Sequence, residues 1–177
     1  MKAHELRSAQ RPLKERYQRY PEAALITLKA QGRLGEGVSC SIQTGRALVE
    51  AGLHPATGGS GMSVCSGDML LEALVACAGV TLSSVATAID ITLQDAVIRA
   101  EGDLDFRGTL GVSKEVPVGF QCIRLFLDLV TDAPADQVAK LIALTERYCV
   151  VYQTLRTVPQ ITVTYRETPS HQSHATG

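Results

Sequence analysis

The chain has 177 residues, 17 of them basic and 18 acidic, for a formal net charge of −1. A chain of this length buries roughly 70% of its unfolded surface, so one domain with an appended arm needs neither a disulfide nor a metal staple to fold. The balanced charge excludes the basic stripe that nucleic-acid binding demands.

Residues 1–22 predict a charge-rich helical arm, with Pro12 placed to open its better half and Pro21 to stop it. Its charged start lacks the apolar run of a secretory leader. The five cysteines (40, 65, 77, 122 and 149) are odd in number and irregular in spacing. Together these features predict a reducing cytoplasm.

Residues 23–31 and 37–44 read as short strands, and GRLGE between them as a hairpin turn. Residues 47–53 predict a third strand, and 54–67 a Gly-rich loop. Its GGSG lacks the Lys-Ser/Thr of a phosphate loop. A long helix is expected from about Asp68 to Ile89, with Asp68 suited to cap its start. From Met69 to Ile89 the only charge is Glu72, and the run is long enough to cross a bilayer. Gly79, Thr81, Ser83, Ser84 and Thr87 dilute it, and no Lys or Arg anchors either end. The expectation is therefore a buried core helix.

Residues 93–106 and 119–131 alternate with period two, the mark of half-buried antiparallel strands. Val138, Leu141, Ile142 and Leu144 keep helical spacing over Ala135–Tyr148, and a short helical piece follows Cys149. Residues 160–166 predict a last strand. The order predicts an α+β fold, an antiparallel sheet packed on two helices.

Cys77 and Cys149 lie 72 positions apart, and neither has a neighbouring cysteine at metal-knuckle spacing. A buried thiol is the ordinary structural state of cysteine. A buried thiol that meets a second one through the fold also suits peroxide or disulfide chemistry. Such a thiolate needs a cation to offset burial. His4, His171 and His174 fall in the arm or tail and His54 opens a loop, so an arginine is the better candidate.

Three local patterns, taken in order, carry a resemblance. Asp68 opens the long helix, with Ala76-Cys77 about two and a half turns on. Cys149-Val150-Val151 opens a short helix after a longer one. Gln31-Gly32-Arg33-Leu34-Gly35 makes a turn with an arginine. Over residues 23–166 the chain resembles the OsmC/Ohr family, the osmotically inducible protein C and organic hydroperoxide resistance proteins. Asp68 stands where the best-known peroxidases have Glu, and Val150 replaces the usual proline. These departures fit a less-studied branch.

The resemblance implies a thiol-dependent peroxidase acting on organic hydroperoxides. Cys77 would be the nucleophile and Cys149 its disulfide partner. Arg33 would be the cation, ahead of Arg147 and Arg46, and Asp68, ahead of Glu72, the carboxylate that aims it. A small dithiol or dithiol protein would be the reductant. Neither a metal nor an organic cofactor is called for, nor a nucleic-acid or membrane partner. The implied architecture is an OsmC-like domain over 23–166 in an intertwined homodimer, with a polar tail over 167–177. Two alternatives stay open, a non-catalytic module binding a small hydrophobic ligand and a thiol redox sensor. Cys65 is an alternative resolving thiol.

Overall fold

The computed structural model describes residues 3–34, 40–42, 51–62 and 64–167. Helix α1 (Ala3–Arg19) runs through Pro12 and ends before a 3-10 turn over Pro21–Ala24. Its Tyr17 is buried, and the hydroxyl donates to the carbonyl of Ala56 at 2.8 Å. That bond ties the arm to a second 3-10 turn, Pro55–Thr57.

Strands β1 (Leu25–Leu34), β2 (Cys40–Ile42), β5 (Asp95–Asp105) and β6 (Cys122–Val130) form one antiparallel sheet in the order β2-β1-β5-β6. Two short strands, β3 (Ala51–Gly52) and β4 (Val64–Cys65), pair in parallel apart from it. Burial along β5 alternates residue by residue, so Ala96, Ile98, Ala100 and Leu104 face inward. The outer face carries charge pairs instead. Arg99 binds Asp128 at 2.8 Å and lies over the Phe126 ring, and Arg124 binds Asp103.

Helix α2 (Ser66–Ala88) crosses the inner face of β1 and β5. Helices α4 (Ala135–Tyr148) and α5 (Val150–Arg156) pack against α2. Leu71, Leu74, Val75, Ala78 and Leu82 fill the core between these layers. Each fully buried aliphatic side chain of this kind contributes about 1.5–3 kcal/mol. A short helix α3 (Phe106–Thr109) follows β5. Its N-cap, Asp105, is buried and held by the Arg107 amide and guanidinium. α2 has the length and hydropathy of a membrane span. Met69, Leu70 and Val80 on it remain exposed within this chain.

Several expectations change. Gly32 and Arg33 are not a turn. They lie in β1, where Gly32 pairs with Ile42 and Ile98, and Arg33 with Ser41 and Val97. Pairing on both sides overrides the local turn preference of glycine. The predicted third strand shrinks to Ala51–Gly52, and residues 43–50 lie outside the described ones. α2 starts two residues early, so Cys65 takes the N-cap position without a side-chain bond and Asp68 sits inside the first turn. Residues 160–166 form no strand among the described residues. Val163 and Tyr165 there are each 85% exposed.

Candidate active site

Cys77 lies midway along α2, and Cys149 in the single-residue break between α4 and α5. That break has a local cause. Cys149 adopts an extended conformation (φ −70°, ψ 107°) that helix cannot continue through. Its amide still donates to the Thr145 carbonyl at 2.9 Å, and its carbonyl accepts from the Gln153 amide at 2.9 Å. Cys149 therefore closes one helix and opens the next. Its residue is 1% exposed, whereas Cys77 is half-buried.

The two thiols stand within hydrogen-bonding reach of each other. Burial alone would push the Cys77 thiol up. Four donors outweigh it: the Val151 amide, the Cys149 thiol, the Thr81 hydroxyl and the Val150 amide, and the Cys77 pKa lies below its ordinary value. Free amides at the first turn of α5 point their partial positive charge at the sulfur. Thr81 is one turn along α2 from Cys77, on the same face. Cys149 moves the opposite way. Burial and the negative charge on Cys77 both raise it, so its proton stays on. The pair is thus polarised, with Cys77 the more acidic thiol and Cys149 the one that keeps its proton.

The structure distributes the other sequence-named residues differently. Asp68 lies nine residues before Cys77, about 13 Å along the helix axis. It groups with His54 and Glu72 instead. Burial raises the Asp68 pKa and His54 partly offsets it, while burial and Asp68 together raise Glu72. His54 is fixed by stacking on Phe106 and by its Nδ1, which accepts from the Ala56 amide at 3.0 Å. Arg33 falls in β1, where it pairs with Val97 of β5. Arg147 is exposed and lies over the Tyr148 ring. Arg46 is outside the described residues. Cys65 immediately precedes α2, far along that helix from Cys77. Cys122 is exposed on the edge strand β6.

Sequence reasoning missed Thr81 and the amides of Val150 and Val151. Thr81 carried a signal in its spacing, four residues after Cys77. The amides carried one in the position of Cys149 directly before a helix.

A cavity of about 400 Å³ is lined by residues of α2, β6 and α5 and by Phe120 and Gln121 just before β6; neither Cys77 nor Cys149 lines it. Leu74 and Tyr152 line it, each one turn from a cysteine of the pair.

The family described as OsmC-like protein matches residues 58–164. Two solved structures share the fold. One is an OsmC-like hydroperoxide resistance protein from Jannaschia sp. CCS1, at 14% identity and a TM-score of 0.60, over 83% of this chain and 97% of that one. The other is an OsmC-like protein from Mycoplasma pneumoniae, at 17% identity and a TM-score of 0.54, over 76% and 86% respectively. No curated protein matches the sequence. With the match spanning more than half its length, and with the sheet and helices that both structures share, the chain belongs to the OsmC-like protein family.

Proposed function

We propose that this protein is a cysteine-based peroxidase that reduces organic hydroperoxides in the cytoplasm. The Cys77 thiolate attacks the distal peroxide oxygen. The O–O bond breaks, the alkoxide takes up a proton and leaves as alcohol, and Cys77 becomes a sulfenic acid. The Cys149 thiol then attacks that sulfur, water leaves, and a Cys77–Cys149 disulfide forms. A dithiol reductant exchanges with the disulfide, returning both thiols and leaving as its own disulfide.

One observation carries the reading: a thiolate-favouring cysteine hydrogen-bonded to a buried, protonated one. Arg33 and Asp68 enter it in the roles the family resemblance gives them, cation and aiming carboxylate. The working form in this reading is an intertwined homodimer. Exposed Met69, Leu70 and Val80 on α2 and the unpaired apolar residues of 158–165 support it, because they give a second copy apolar surface to cover.

The test is one equivalent of tert-butyl hydroperoxide followed by peptide mapping. The expected product is the Cys77–Cys149 disulfide. Cys77→Ser should abolish turnover, and Cys149→Ser should stop at a sulfenic acid that dimedone traps. Two free thiols after peroxide, or full turnover by Cys77→Ser, would remove the peroxidase reading.

The cavity favours a second reading, a module that holds an apolar ligand without chemistry. In that case native mass spectrometry of fresh protein shows a bound ligand, and peroxide leaves both thiols titratable.

A further inference from the structure

The cavity between α2, β6 and α5 has a mostly apolar lining with a single charged residue in it. Leu74, Phe120, Ile123 and Leu125 supply its greasy wall, and Tyr152 its flank. Its one formal charge is Arg156, at the last residue of α5. Arg156 is exposed, and its guanidinium makes no ion pair or hydrogen bond among the described residues. Three other arginines are engaged: Arg99 of β5 with Asp128, Arg107 of α3 with Asp105, and Arg124 of β6 with Asp103. An exposed guanidinium that lines an apolar cavity can take a carboxylate through paired N–H bonds.

The spacing fits one kind of molecule. Arg156 follows Cys149 by seven residues, two turns of helix or about 10 Å. Leu74 and Tyr152, which share the cavity lining with Arg156, stand three residues from Cys77 and Cys149 respectively. We infer that this cavity binds an alkyl chain ending in a carboxylate, with Arg156 gripping the charged end and fixing specificity. Where the chain bears a hydroperoxide, the same grip holds the reacting group toward Cys77. That second step rests on the peroxidase reading, and the binding step does not.

Two measurements separate them. Calorimetric titration of the reduced protein with decanoate and with its methyl ester reads the binding alone. Decanoate should bind at least tenfold more tightly. Arg156→Gln should erase that preference, and Arg156→Lys should keep most of it. Steady-state kinetics with a hydroperoxy-alkanoate and its methyl ester reads the second step. Arg156→Gln should raise KM for the acid about tenfold, leave KM for the ester alone, and leave kcat unchanged for both. Equal affinity for decanoate and ester in the native protein overturns the inference, as does a preference that survives Arg156→Gln. A preference for decanoate in a protein that turns over no hydroperoxide supports the site and sinks the peroxidase reading alone.

Discussion

The backbone amide of Val150 donates a hydrogen bond to the sulfur of Cys77. This residue stands where the resemblance leads one to expect proline, which has no amide hydrogen to give. The departure therefore adds a donor to the Cys77 sulfur, and it does so at the first position of α5, where the amide has no partner inside the helix.

Val150→Pro tests this directly. Proline suits the first helical position, and the extended backbone of Cys149 tolerates a proline after it. The fold should persist, with an unchanged circular dichroism spectrum. Cys77 should lose one donor, its pKa should rise, and its alkylation by iodoacetamide at pH 7 should slow several-fold. An unchanged rate would show that the amide does not matter to the sulfur.

Thr81 makes the second test. Valine keeps the shape of threonine and drops the hydroxyl. A hydrogen bond to a charged group contributes about 1.5–3 kcal/mol, so Thr81→Val should slow Cys77 alkylation at pH 7 about tenfold or more. Thr81→Ser should restore most of the rate. Equal loss in both variants would point to packing and not to the hydroxyl.

The chain announces much of its fold and little of how the site is wired. Period-two alternation in β5 and helical spacing in α4 are local patterns, and they mark those elements close to their observed ends. Gly32 and Arg33 mislead because glycines predict a turn, and only the flanking strands show that β1 continues. Residues 160–166 alternate like a strand, yet no edge of the described sheet pairs with them. Cys77 and Cys149 can be picked out in the sequence, but their meeting is a product of α2 packing on α5. Thr81 hides among threonines with another use. Thr87 and Thr145 donate to carbonyls four residues back, an ordinary helical habit.

Glu72 and Asp68 make a pH-dependent prediction. The Glu72 pKa is raised by burial and by Asp68, so the folded protein holds that proton more tightly than the unfolded chain. Such a group contributes stability below its unfolded value, 4.5, and loses it as pH rises through the folded value. At pH 7 its charge is a cost. Glu72→Gln should therefore raise the melting temperature at pH 7, and the gain should fade as pH falls toward 4. A lower melting temperature at pH 7 would mean that Glu72 has a favourable partner.

Asp103 runs the other way. Hydrogen bonds from Arg124 and Thr27 hold its pKa down to about 2 from an ordinary 3.8. Its contribution is complete above 3.8 and disappears as pH falls through about 2. Asp103→Asn should lower the urea midpoint at pH 7, modestly because the pair is partly solvated. The gap to the native protein should close in acid. A gap that is constant with pH would assign the loss to something other than the charge.

Gly102 is buried where a side-chain carbon would overlap the Phe120 ring. Phe120 also lines the cavity. Gly102→Ala should cost about 1–3 kcal/mol, the usual penalty for overfilling a packed site, and should weaken ligand binding in the cavity by displacing the ring. Thermal denaturation and decanoate titration read the two effects separately.

Cys149 has one more consequence. The residue that would carry the bond is also the joint at which two helices change direction. In the proposed cycle a covalent tether on its side chain would pull on that elbow, and the oxidation state of one sulfur would change how α4 and α5 meet. Protease sensitivity at this elbow should then differ between the reduced and oxidised forms, and it gives a gel-based gauge of redox state that needs no label on either thiol.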